Sequence, residues 1–133
     1  MRFLLDTNAC VDYLTGRYAK VVARIQGSPP DDLSLSSVVV AELRYGADHS
    51  ARRRTNHARI DALLDEIECL DFDLQAAATY GRVRARLEAA GTPIGPNDML
   101  IAAHALSRGL SVVTDNVGEF GRVKGLKVDN WRR

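Results

Sequence analysis

Several functions fall away for want of the residues they need. The chain has only two cysteines, Cys10 and Cys69, far apart and in no C-x-x-C or Cys/His spacing, so neither a zinc site nor a redox motif is indicated. Lone cysteines of this kind are usually small buried hydrophobes. The histidines, His49, His57 and His104, are equally scattered and offer no zinc pattern. No basic-then-apolar leader opens the sequence, and no apolar run approaches the ~20 residues that cross a bilayer. A cytoplasmic location without a membrane partner is expected. Neither sign of charge predominates: 18 lysines and arginines against 17 aspartates and glutamates leave a net +1. Whole-molecule electrostatics therefore give no reason to expect a nucleic-acid partner. Local basic clusters remain, at Arg52-Arg53-Arg54 with Arg59, at Arg82, Arg84 and Arg86, and at Trp131-Arg132-Arg133, although such clusters are more often solvated faces. There is no internal repeat, low-complexity stretch or linker.

What is present is an ordinary globular composition, 46% apolar and 26% charged over 133 residues, which predicts a single domain spanning 1–133. Periodicity and punctuation divide it into alternating elements. Strands are expected at 2–6, 33–35, 69–72, 110–114 and 126–128. Helices are expected at 8–15, 18–26, 37–47, 55–66 and 74–90, and from a cap at Asn97 to Gly109. Strands separated by helices imply parallel pairing with right-handed crossovers, an α/β domain whose crevice lies at the carboxyl ends of the strands.

Acids stand at or near those ends. Asp6 closes the apolar run Phe3-Leu4-Leu5, where an N-cap would also explain it. Glu42 falls between Val38 and Val39 on the helical wheel, opposite Arg44 and Asp48, and so is expected to face inward. A buried carboxylate costs several kcal/mol unless a cation or another partner meets it. Asp98 opens the apolar helix Met99 to Leu106, beside Ala102 and Ala105, in a first turn that favours negative charge. Thr114-Asp115-Asn116 with Glu119 follows the apolar run Val112-Val113. Each acid has a bland explanation; their coincidence at one crevice is better explained by a hard divalent cation. All-oxygen sites suit Mg²⁺ or Mn²⁺ rather than zinc, and such ions typically act on phosphate esters by activating water.

Leu4-Leu5-Asp6-Thr7-Asn8, Ser36-Ser37-Val38 to Glu42-Leu43-Arg44-Tyr45-Gly46-Ala47, Pro93-Ile94-Gly95-Pro96-Asn97-Asp98 to Ala102, and Val113-Thr114-Asp115-Asn116 to Phe120 resemble, in order and spacing, the PIN-domain ribonuclease toxins of VapC type. The resemblance extends through Gly125-Leu126 and Trp131 and thus covers the whole chain. It implies a three-layer α/β/α fold around a central, mainly parallel sheet. It also implies a Mg²⁺- or Mn²⁺-dependent endoribonuclease, toxic by cutting tRNA or rRNA to leave a 5′-phosphate and a 3′-hydroxyl. Partners implied are a cognate antitoxin, whose C-terminal segment enters the toxin's groove, and a second copy of the toxin. Carried over by position, Asp6, Asp98 and Glu42 are metal ligands, with Thr7, Asn8 and Thr114 in support. At the fourth acidic position many relatives have Asp where this chain has Asn116. Glu119 is the favoured substitute, with Asn116 assisting and Asp115 as a further possibility. Strand alternation predicts that Asp115 and Asn116 face different ways. Arg82, Arg84 and Arg86 are the first candidates for RNA contact.

Two other readings stand beside this one. A PIN-like RNA- or partner-binding module with a weakened site would explain the neutral Asn116. An aspartate-dependent phosphatase or receiver-like domain would explain Asp6, but it needs further acids beside Asp6 and a lysine after a late strand, which Thr7-Asn8 and Asp115-Asn116 do not supply.

Overall fold

The computed structural model describes residues Met1–Arg133. Its strands are β1 (Phe3–Leu5), β2 (Leu33–Ser36), β3 (Glu68–Leu70), β4 (Ser111–Val113) and β5 (Val128–Asp129). The helices are α1 (Thr7–Thr15), α2 (Ala19–Gly27), α3 (Ser37–Asp48), α4 (Arg53–Glu66), α5 (Leu74–Ala89), α6 (Pro96–Ser107) and α7 (Val117–Phe120). All strand pairs are parallel, in the order β3-β2-β1-β4-β5, and helices flank the sheet in the expected three-layer α/β/α arrangement. No helix is long and apolar enough to cross a membrane.

The central strands are short runs buried on both faces. Leu4, Leu5, Leu35, Val112 and Val113 are at or near zero exposure, as the apolar character of a parallel sheet requires. The chain leaves β1 toward β2 and β3, and later returns on the other side with β4 and β5. That reversal between β1 and β4 is where a doubly wound sheet opens a crevice. Register then decides what the crevice receives. Leu5 pairs with Val113, so Asp6 and Thr114 emerge side by side, and the Asp6 backbone N–H donates to the Val113 carbonyl at 3.0 Å.

Element ends differ from expectation in ways that matter. The strand expected at 69–72 begins one residue earlier and ends at Leu70, while the strand expected at 126–128 is the pair Val128–Asp129. α6 does not start from an Asn97 cap. Gly95 precedes it and Pro96 takes the first helical position, where a missing N–H costs nothing. Asn97 is thereby released for other contacts. α7 was not anticipated; four residues are too few for a helical period to show.

Trp131 anchors the segment after β5. It is 1% exposed, meets Phe3 edge-on at 5.0 Å between ring centroids, carries the Arg24 guanidinium over its face at 4.5 Å and donates from Nε1 to Asp129 at 3.0 Å. Trp131→Ala removes a large core side chain and is expected to cost about 3–5 kcal/mol, read as a lower midpoint in denaturant unfolding.

Candidate active site

Asp6 has two tasks at the carboxyl end of β1. Its Oδ1 accepts the Ala9 backbone N–H at 2.8 Å, which caps α1, and the same carboxyl is only 2% exposed. Burial pushes its pKa from 3.8 up to about 7, against the opposing pull of the Thr114 hydroxyl and the Ala9 N–H. The charges of Asp115 and Asp98 raise it further. The N-cap reading holds, and the burial and raised pKa of the same carboxyl make it a candidate ligand as well.

Asp98, in the first turn of α6, is half-buried, with a pKa raised to about 6 chiefly by burial and then by Glu119. The Asn116 amide bridges the two acids, donating to Asp98 Oδ2 at 3.3 Å and to a carboxylate oxygen of Glu119. The other Glu119 oxygen accepts the Gly95 N–H at 3.2 Å. Glu119 is held low, first by Asn116 and then by Asp98, so Asp98 is the one of the two that takes up a proton first as the pH falls.

Glu42 lies at the edge of the buried stripe of α3, which is formed by Val39, Leu43 and Ala47. It is half-buried rather than interior. Its two oxygens accept the Thr7 hydroxyl at 2.6 Å and the Asn97 amide at 3.2 Å. The expectation of a buried carboxylate needs correction to that extent, and the partner it called for is supplied by neutral donors. The Glu42 charge still adds to the repulsion felt by Asp98.

Thr114 is buried and accepts the Asn116 N–H at 2.9 Å, which fixes the turn after β4. Asp115 and Asn116 point different ways: Asn116 goes to Asp98 and Glu119, whereas Asp115 accepts the Asn8 amide at 3.0 Å and binds Arg132 at 2.9 Å. Arg82, Arg84 and Arg86 lie on the exposed side of α5. Arg82 donates to Thr79, Arg84 pairs with Glu88 at 2.7 Å, and none of the three bonds to a crevice acid. Sequence reasoning missed Asn97, whose freedom follows from the proline beside it, and the pair Asp12–Arg132, 120 residues apart.

The donors gathered around the crevice are oxygens only, and the raised pKa values of Asp6 and Asp98 are those of buried acids short of positive charge. This chemistry fits a hard divalent cation. No three His, Cys, Asp or Glu side chains are drawn together as a finished cage. A cation here would compete with protonation of Asp98.

Beside Glu42 runs an apolar groove of about 890 Å³ between α1, α3 and α4, with Val11, Leu14, Val38, Tyr45, Ile60 and Leu100 among its walls. Thr7, Glu42 and Asn97 close the end shared with the crevice.

A parallel sheet that delivers carboxylates to its central switch point defines a nuclease-like acidic crevice. Residues 3–126 match the PIN domain family. The chain is 39% identical over 131 residues to the tRNA(fMet)-specific endonuclease VapC of Salmonella typhimurium, covering 98% of both. It is 35% identical over 132 residues to Ribonuclease VapC2 of Rickettsia felis, again over 98% of both. Among solved structures, DNA-bound VapBC from Salmonella typhimurium superposes with a TM-score of 0.93 at 39% identity, covering 98% of each chain. The chain belongs to the PIN-domain family, in its VapC ribonuclease branch, and is a hydrolase of the nuclease class.

Proposed function

We propose that this protein is the toxin of a type II toxin-antitoxin pair, a divalent-cation-dependent endoribonuclease acting in the cytoplasm on tRNA. The observation that carries this reading is the gathering of Asp6 from β1 with the Asp98–Asn116–Glu119 bridge, next to Thr7 and the Glu42 it bonds. In support, two full-length relatives are named a tRNA(fMet)-specific endonuclease and a ribonuclease. The continuous core, from Leu4 through Val39 and Ile101 to Trp131, supports a chain that works as one domain.

Asp6, Asp98 and Glu42 are the residues proposed to hold Mg²⁺ or Mn²⁺, with Glu119 as the fourth acid. When bound, such an ion supplies Lewis-acid charge at a phosphate oxygen and lowers the pKa of water. The remaining work belongs to the chain. Thr7 and Asn97 orient Glu42, and Asn116 orients Glu119. Of the Asp98–Glu119 pair, Asp98 takes up a proton as the pH falls toward about 6. Hydrolysis adds water across the P–O3′ bond and leaves a 5′-phosphate and a 3′-hydroxyl. Arg82, Arg84 and Arg86 are kept as a secondary proposal for contact with RNA phosphates.

The groove is the proposed seat of an antitoxin segment, since solved neighbours at 33–39% identity are VapBC complexes. α4 contributes Asn56, Arg59 and Ile60 to the groove, α1 and α3 supply most of the rest, and α2 lines no part of it. A homodimer of the toxin within the hetero-oligomer is proposed alongside. Val11→Asp places a carboxylate in an apolar wall beside Glu42. It is expected to weaken capture of the co-expressed antitoxin by about tenfold or more, measured by calorimetry on the separated proteins.

The functional reading is tested by incubating purified protein with isolated tRNA and mapping the new ends. Fragments carrying 5′-phosphates that form only with Mg²⁺ or Mn²⁺ support it. Intact tRNA and intact rRNA under all conditions, from folded protein, would favour the binding-module reading.

A further inference from the structure

One buried acid lies outside the proposed catalytic set. Asp12 on α1 is 2% exposed, and its only side-chain partner is Arg132, in the segment after β5. The contact is bidentate: Nε donates to Oδ2 at 2.7 Å and Nη2 to Oδ1 at 3.0 Å. The third guanidinium nitrogen, Nη1, donates to Asp115 Oδ2 at 2.9 Å. The guanidinium face packs on Tyr18, 4.0 Å from the ring centroid. Its backbone is held as well, because the Arg132 N–H donates to Asn130 Oδ1 at 3.0 Å and the preceding residue is the buried Trp131. A planar fork that serves two carboxylates while stacked on an aromatic ring is a geometry that lysine cannot reproduce.

The consequence falls on Asp115. Both of its oxygens are engaged, one by Arg132 and the other by the Asn8 amide at 3.0 Å. Asn8 follows the β1 end that carries Asp6, and Asp115 precedes Asn116, which bridges Asp98 and Glu119. Arg132 therefore fastens the turn after β1 to the turn after β4 from behind the crevice. We infer that Arg132 is a positioning residue: by dividing its guanidinium between Asp12 and Asp115, it withholds Asp115 from a divalent cation and fixes the two turns that present Asp6 and Asn116. This inference rests on the nuclease reading above. It settles which neighbour of Asn116 is excluded from the ligand set, and it gives the basic residue after Trp131 a task other than RNA contact.

A merely structural ion pair would affect folding and nothing else, so the test separates the two. Arg132→Gln alone leaves Asp12 buried and unpaired and can fail to fold. The double variant Asp12→Asn with Arg132→Gln removes both charges together and frees Asp115, while Arg132→Lys keeps the charge but cannot divide it. Both are expected to unfold cooperatively and to bind Mn²⁺ at least about fivefold more tightly than wild type in calorimetry, because a further carboxylate becomes available. The Asn8 side-chain amide resonances should shift in both. With tRNA, kcat should fall about tenfold or more, in the range of other residues that orient ligands, while KM stays within about threefold. Unchanged Mn²⁺ affinity and unshifted Asn8 resonances would overturn the inference, as would full activity in Arg132→Lys. If wild type cleaves no RNA, the nuclease reading fails, but the Mn²⁺ and Asn8 measurements still decide the role of Arg132. Should the double variant not fold, Arg132→Lys carries the decision.

Discussion

At pH 8 without divalent cations, Asp6→Asn is expected to be more stable than wild type by about 2–3 kcal/mol, and with Mg²⁺ or Mn²⁺ present to cleave no RNA. The Asp6 carboxyl is almost fully buried, and its pKa is about 7 in the fold against an ordinary 3.8. Because the folded state holds the proton more tightly, folding is favoured below about pH 4, and that advantage is lost progressively up to about pH 7. Above pH 7 the ionised acid opposes folding by up to ~4 kcal/mol, a ceiling that local relaxation will reduce. Asparagine has the same shape, can still cap the Ala9 N–H and carries no charge. Wild type and variant should therefore have similar unfolding free energies near pH 4 and diverge as the pH rises, with wild type the less stable. Millimolar Mg²⁺ or Mn²⁺ should restore stability to wild type alone, since a ligand that binds only the folded state stabilises it by mass action. Urea titrations at several pH values, with and without the cation, measure all of this.

Asp98→Asn is expected to lower kcat/KM by on the order of 10³, equivalent to several kcal/mol of lost charge stabilisation, with a change in stability well under that of Asp6→Asn. The difference follows from exposure, since Asp98 is half-buried and Asp6 is not exposed in any useful sense. Asp98 also takes up a proton before Glu119 does, so cation binding by wild type must compete with that proton and should weaken as the pH falls below about 6. Glu119→Gln removes the neighbouring acid and should both weaken cation binding and flatten its pH dependence. Mn²⁺ calorimetry between pH 5 and 8 reads both effects; identical pH profiles in the two proteins would contradict the influence of Glu119 on Asp98.

Much of this was legible in the residues themselves. Phe3-Leu4-Leu5 and Val112-Val113 are too apolar to be anything but central strands, and acids following them had to emerge at the crevice end of a parallel sheet. Asp115 and Asn116 do face different ways, but the turn after β4 separates them rather than strand alternation, because the strand ends at Val113. The wheel placed Glu42 inward, whereas it sits half-buried at the edge of the stripe, and it could not show that Thr7 and Asn97 would satisfy it, because both contacts cross between helices. Asn97 was read as a cap because asparagine favours that role; the neighbouring Pro96 claimed the helix start instead. Arg132 looked like part of a basic tail. Its pairing with Asp12 spans the whole chain, and no local pattern in a sequence reports a contact that only the sheet order creates.

Whether the acids around Asp6 and Asp98 make this chain a cation-dependent ribonuclease is decided by its action on cellular RNA. Purified protein, freed of antitoxin, is incubated with total RNA with and without Mg²⁺ or Mn²⁺, in parallel with Asp6→Asn and Asp98→Asn. The expected result is a set of discrete fragments that require the cation and are absent from both variants. Fragments of the same pattern and yield from wild type and both variants would contradict it.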